Sequence, residues 1–176
     1  MESRVCEGCG CGMKLFREGA RTCSAKCRKR VSRRGKLPAA MTSRDRWIRR
    51  TASKRPVTVD GRPASSTDSA TWSSFSAASK SSVGAGLGFV LGDGIGCIDL
   101  DHCMVDGRLS GWAREAIESI AEPILFAEVS QSGEGIHVFI EAPEAPGRKI
   151  RDGRNIERYT VGRYIAVTGK AFSLPS

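Results

Sequence analysis

Apolar and polar residues alternate with a period of two over much of the chain, and the alternating runs are bounded by glycine, proline or Asp-Gly. Val57 and Val59 alternate ahead of Asp60-Gly61, so residues 54–68 read as a hairpin. Leu87 to Leu91 and Ile95 to Asp101 are two strands on either side of Gly92-Asp93-Gly94. Ile124 to Val129 and Ile136 to Glu141 form another pair across the Gly-rich turn QSGEG, and NIERYT and RYIAVTG close the chain as two last strands around Val161-Gly162. Where the period lengthens, helices are predicted. A short one lies in TDSATWSSFSAASKSS, with Trp72 and Phe75 toward the core, and a longer one runs from Ser110 to Ala121. The longer helix carries a stripe of Trp112, Ala116, Ile117 and Ile120, and Pro123 marks its end. A further short helix, capped by Ser43, is read over SRDRWIRR and docks through Trp47 and Ile48. Antiparallel hairpins mixed with crossing helices predict an α+β fold with one sheet covered by helices.

Length and charge refine this picture. A chain of 176 residues with 40 % hydrophobic content holds one domain of ordinary size plus a small appendage. No apolar run approaches the roughly 20 residues that cross a bilayer, and MESRVCEGCGC lacks the basic-then-apolar order of a signal peptide. A cytoplasmic protein with no membrane partner is therefore expected. The formal charge of +9 is unevenly spread: residues 1–56 carry 17 of the 28 Lys and Arg but 4 of the 19 acids, which leaves 11 bases and 15 acids after them. A basic arm ahead of a mildly acidic body suits a polyanion, because every phosphate neutralised releases counterions. Nucleic acid is the predicted partner.

The basic arm also holds five of the seven cysteines: Cys6, Cys9, Cys11, Cys23 and Cys27. Cys6-x2-Cys9 and Cys23-x3-Cys27, at the two ends of a loop, let four thiolates converge on one tetrahedral ion, the arrangement of a structural Zn²⁺ site. Cys11 either replaces Cys9 or stays outside the site. Residues 1–36 have too little apolar side chain for a core, so a metal would be needed for them to fold. RKRVSRRGK continues a helix from the second cysteine pair and presents cations to phosphate. Residues 37–43, with Pro38 and small side chains, read as a linker, and residues 44–176 as the main domain.

The chemistry centres on Ile98-Asp99-Leu100-Asp101. Residues two apart on a strand share a face, so Asp99 and Asp101 stand side by side, and like charges so close call for a cation between them. A hard divalent ion, Mg²⁺ or Mn²⁺, is the natural occupant. His137 and Glu157 fall on neighbouring predicted strands, and together these groups make a two-metal phosphoryl-transfer site. His102, beside the acidic pair, is either a supporting group or a bystander.

The order IDLDHC, SQSGEGIH and NIERYTVGRYIAVTG, preceded by KRPVTVDGRPASSTDSATWSSF, resembles the primase/polymerase domain of the archaeo-eukaryotic primase superfamily in its phage and plasmid form. The resemblance covers residues 45–172. It implies an RRM-like catalytic sheet beside a smaller N-terminal α/β unit. It also implies that Asp99, Asp101 and Glu157 hold the catalytic metals and that His137 contacts the phosphates of an incoming nucleoside triphosphate. Ser132, Gly133 and Gly135 of the SGEG turn would let backbone N–H groups approach phosphate, unless they simply form a hairpin turn. Arg163 is read as a contact to the triphosphate or template, or else as the partner of a nearby acid. The expected activity is DNA-directed primer synthesis or extension on single-stranded DNA, in the bacterial cytoplasm if the gene is a phage's. The chain stops soon after the third motif, so unwinding would fall to a separate helicase. A metal-dependent nuclease and a zinc-containing DNA-binding replication protein without catalysis are the competing readings.

Overall fold

In the computed structural model, which describes residues 6, 11–13, 19–28, 37–105 and 107–174, the chain falls into two units, Met1–Lys36 and Leu37–Ser176. The larger unit opens with a helical turn, α1 (Ala39–Thr42), whose Met41 is fully buried. Residues 37–43, read above as a linker, are thus part of a packed body. Next comes β1 (Trp47–Arg50), where a helix was predicted. The reason is burial: Trp47 and Ile48 are adjacent and both fully buried, and an extended chain sends neighbours to opposite faces. The arginines that disguised this strand are held by carbonyls instead of forming a basic arm. Arg46 Nε donates to Val90 O at 2.9 Å and its Nη2 to Leu91 O at 2.7 Å, while Arg49 Nε donates to Val83 O at 2.6 Å.

β2 (Pro56–Val57) pairs with β1, and the turn at Asp60-Gly61 then brings Pro63 opposite Val57. Asp68 caps a 3₁₀ turn, Ser69–Thr71. Ser74 caps α2 (Phe75–Lys80) by accepting from Ala77 N at 3.2 Å. The chain continues through β3 (Gly86–Val90), β4 (Ile95–Leu100), β5 (Met104–Val105), β6 (Arg108–Leu109), α3 (Gly111–Glu118), β7 (Ile124–Val129), β8 (Ile136–Glu141), β9 (Arg148–Ile150), β10 (Ile156–Tyr159) and β11 (Tyr164–Val167). Strand β9 was not predicted: Arg148, Lys149 and Ile150 are all exposed, so no alternation betrays an edge strand.

The predicted single sheet is two, both wholly antiparallel: β11-β3-β1-β2, and β7-β8-β4-β10-β9, with β5 and β6 as a separate ribbon. Strands β3 and β4 do not pair with each other. Between them Gly92, Asp93 and Gly94 all adopt positive φ, at 131°, 55° and 81°, and this left-handed run carries the chain from one sheet to the other. It crosses back between β10 and β11, where Gly162 has φ 70°.

Trp47, Phe89, Ile165 and Val167 of the four-stranded sheet share one buried cluster with Cys97, Phe126 and Phe139 of the five-stranded sheet. Phe89 bridges them, edge-on to Trp47 at 5.1 Å and to Phe139 at 6.4 Å. The far face of the five-stranded sheet, with Ile98, Leu100, Val138 and Ile140, is buried with Ala113 and Ile117 of α3. Strand β4 therefore alternates Ile98 and Leu100 toward α3 with Cys97 and Asp99 toward the other sheet.

In the smaller unit, Cys6, Met13 and Cys27 are buried together with Ala20 and Cys23 packed against them. Ser24 Oγ accepts from Cys27 N at 3.1 Å and starts a helical turn over residues 25–28. Cys9 and the helix predicted beyond Arg28 lie outside the described residues. Among the described residues, no helix is long and apolar enough to cross a membrane.

Candidate active site

The register of the five-stranded sheet aligns one row of ionisable side chains. Glu128 on β7 stands opposite His137 on β8, His137 opposite Asp99 on β4, Asp99 opposite Glu157 on β10, and Glu157 opposite Lys149 on β9. Directly opposed residues point to the same side of a sheet, so the row projects from the same face as Cys97, Phe139 and Phe126. Asp101 follows the end of β4, where its N–H donates to Asn155 O at 2.9 Å.

At one end of the row Glu128 is completely buried and saturated. Its Oε1 accepts from His137 Nδ1 at 3.0 Å and from Thr168 N at 3.1 Å, and its Oε2 accepts from Gly169 N at 2.8 Å. Because a carboxylate only accepts, Nδ1 carries the proton in this bond, and Nε2 is the imidazole atom turned to Asp99, 3.8 Å from its Oδ1. Sequence reasoning passed over Glu128. An acid on the Phe126 face of an apolar strand, paired with His137 by counting back from the QSGEG turn, was the available signal.

Asp99 is the strained member of the row. Burial raises its pKa, the His137 imidazole pulls it down, Asp101 and Glu157 push it up again, and the net shift is upward. Its Oδ1 is buried and has no hydrogen-bond partner. An orphaned carboxylate oxygen is one that a hard divalent cation would satisfy, but among the described residues the carboxylates of Asp99, Asp101 and Glu157 do not converge within 4.8 Å of one another, so holding one ion between all three requires their side chains to turn inward.

Glu157 is already engaged by nearby cations, with which any such ion would compete. It bonds Arg151, accepts from Tyr159 Oη at 2.8 Å, and has Lys149 Nζ and Arg163 Nη2 each at 3.4 Å. Burial raises its pKa, but the bonds from Tyr159, Arg151 and Lys149 outweigh it and hold the carboxyl below its ordinary value. Arg163 also stacks on the Tyr159 ring at 4.3 Å. A cleft of about 440 Å³ opens over the row, lined by Lys54, Pro56, Asp99, His137, Arg163 and Tyr164 among others.

The SGEG turn lies beside the row with its polar atoms engaged internally. Gly133 N donates to Ser130 O at 3.1 Å, Glu134 N to Ser132 Oγ at 3.3 Å, and Gly135 N to Ser130 Oγ at 3.2 Å. Gly135 is glycine for packing, since a Cβ there would fall 2.8 Å from Leu100 O. His102 is exposed and faces Glu134, 3.6 Å away.

In the smaller unit, the sulfurs of Cys6, Cys11 and Cys23 lie within 4.8 Å of one another, and Cys27 Sγ is 3.6 Å from that of Cys23. Four sulfurs about 2.3 Å from one ion would be separated by about 3.8 Å. Cys23 N donates to Cys6 Sγ at 3.2 Å. Cys11 thus joins the cluster, which could hold a metal ion.

No family model matches the chain. A "DNA Primase-polymerase" of Nitratiruptor phage NrS-1 is 36 % identical over 138 residues, 72 % of this chain and 19 % of the relative. Over the matched residues the chain is similar to this phage primase-polymerase. It spans about a fifth of the length of that primase-polymerase.

Proposed function

We propose that the chain carries out template-directed nucleotidyl transfer, making or extending a primer from nucleoside triphosphates on single-stranded DNA. The observation that carries this reading is the row itself: the buried, unpartnered Oδ1 of Asp99 flanked by Asp101, Glu157 and an imidazole whose other nitrogen is held by Glu128. The phage primase-polymerase relative supports the same reaction class. In this reading Asp99, Asp101 and Glu157 hold Mg²⁺ or Mn²⁺. Such ions, when bound, lower the pKa of an attacking 3′ hydroxyl and neutralise the triphosphate.

The protein's own part is positioning. His137 Nε2 faces the cleft side of Asp99 and contacts the nucleotide's phosphates, with Glu128 fixing the ring. Arg163, stacked on Tyr159, meets the triphosphate, and Lys54 adds positive charge at the cleft wall. Ser132, Gly133 and Gly135 shape the hairpin that bounds the site. The five-stranded sheet serves as the RRM-like catalytic sheet, and the four-stranded sheet with α1 and α2 as the smaller α/β unit. Residues 1–36 form a module in which Cys6, Cys11, Cys23 and Cys27 hold a structural Zn²⁺ and whose cations grip the template.

The test is incorporation of labelled nucleotide on single-stranded DNA with each nucleotide set and each metal. Asp99→Ala combined with Asp101→Ala should abolish incorporation and leave a folded chain. Undiminished incorporation by that double variant refutes the reading.

A further inference from the structure

Arg50, at the end of β1, is a buried cation with no counter-charge. The residue is 5 % exposed, its Nε has no hydrogen-bond partner, and its Nη1 reaches Thr51 O at 3.3 Å. Among the described residues it forms no ion pair, although Arg44, Arg151, Arg154 and Arg158 all do. A guanidinium cannot shed its proton to escape burial, so an unbalanced one is costly to keep. Its place is nevertheless built into the fold. A Cβ on Gly86 would fall 2.7 Å from Arg50 Nη2, so the glycine lets the guanidinium lie flat against the backbone of β3.

Arg50 lines a second cleft, of about 320 Å³, that shares no residue with the one over Asp99. Its wall includes Arg49, Gly86, Gln131, Thr168 and Lys170, and no acid. Arg49 is committed to the carbonyls of Val83 and Ala78, which leaves the Arg50 fork and the exposed Lys170 ammonium as the cations facing the space. A planar fork with a neighbouring ammonium matches the geometry and charge of a phosphate group.

We propose that the cleft around Arg50 and Lys170 is a phosphate-binding site separate from the Asp99 row. The phosphate comes either from the backbone of a nucleic-acid strand or from a nucleotide, both of which the proposed reaction handles. The site rests on charge and burial alone, so its test does not use incorporation.

The experiment compares the full chain with Arg50→Met, Lys170→Ala and Arg114→Ala, without added divalent cation. One arm follows melting in the presence of inorganic tripolyphosphate; the other follows anisotropy of a labelled short oligothymidylate. Without ligand, Arg50→Met should melt at or above the unsubstituted chain, since an uncompensated buried charge is replaced by an apolar side chain of similar length. It should bind at least one probe about 10- to 100-fold more weakly, Lys170→Ala should show a smaller loss in the same arm, and Arg114→Ala, which removes an exposed cation of α3 outside both clefts, should show none there. Loss with tripolyphosphate assigns the site to nucleotide phosphates; loss confined to the oligonucleotide assigns it to a strand. Unsubstituted-strength binding of both probes by Arg50→Met overturns the proposal. If that variant does not fold, unchanged binding of both probes by Lys170→Ala does so.

Discussion

Replacing Glu128 by Gln tests whether the row works as a unit, because the substitution keeps shape and volume and changes only charge and one acceptor. Glu128 accepts from His137 Nδ1, Thr168 N and Gly169 N. An amide offers one accepting oxygen and one donating NH₂. If the NH₂ takes the Oε2 place, it faces Gly169 N–H and leaves a buried donor unsatisfied, at a cost of about 1–3 kcal/mol. If it takes the Oε1 place, the imidazole must move its proton to Nε2, which then points an N–H at Asp99 in place of a lone pair. In either case the remaining bonds lose their charge assistance, each worth about 1 kcal/mol. The sum is about 2–5 kcal/mol, depending on which way the amide lies, or a fall in melting temperature of about 5–20 °C.

Nucleotide incorporation, assayed well below the variant's melting range, should drop about 10- to 100-fold in kcat/KM, the usual effect of losing a group that orients an active-site ligand. Histidine ¹⁵N spectra should show the Nδ1 proton of His137 weakened or transferred. A variant that melts like the unsubstituted chain and incorporates at the same rate per folded molecule would remove Glu128 from the argument.

Two further outcomes follow from the same structure. Asp99 has a raised pKa in the folded chain, so the folded state holds its proton more tightly than the unfolded state does. Its contribution to stability is thus largest at acid pH and declines as pH rises through the carboxylate range. Without metal, Asp99→Asn should gain stability relative to the unsubstituted chain between acid and neutral pH, and adding Mg²⁺ or Mn²⁺ should reverse the order. A melting-temperature difference that stays flat with pH and metal contradicts this. In the smaller unit, Cys11→Ala should lower the zinc content of the purified chain from about one ion, read by a colorimetric thiol-release assay; full retention of zinc would place Cys11 outside the site.

The strands were readable because they repeat every two residues and glycine marks their ends: Asp99, His137 and Glu157, read from separate segments, fall in one cross-strand row, while Asp101 lies just past the end of β4. What stayed hidden depended on partners far away in sequence. Trp47 is buried by partners far along the chain, Phe75 of α2 and the cluster it shares with the five-stranded sheet, and the neighbouring arginines, bonded to carbonyls, imitate a solvated basic face. Leu87 to Leu91 and Ile95 to Asp101 look like a hairpin, yet three consecutive positive-φ residues send them to different sheets. Strand β9 has no apolar face to announce it. For Cys11, spacing alone left two assignments open, and chain geometry brings its sulfur to Cys6 and Cys23.

The two crossings between sheets explain why one residue can matter to both fold and site. Thr168 and Gly169 follow directly after β11, an edge of the four-stranded sheet, while Glu128 sits on β7, an edge of the five-stranded one. Their hydrogen bonds therefore clasp the end of one sheet to the edge of the other, and the carboxylate that makes this clasp also holds His137 at 3.0 Å. Any shift of β11 relative to the five-stranded sheet must be taken up at Glu128, and the imidazole turns with it. Strand β11 also carries Tyr164, Ile165 and Ala166 into the wall of the cleft over Asp99. The docking of the two sheets and the orientation of the ring beside Asp99 are consequently one variable, which is why a completely buried acid, separated from Asp99 by the His137 ring, is the position where stability and turnover should fall together.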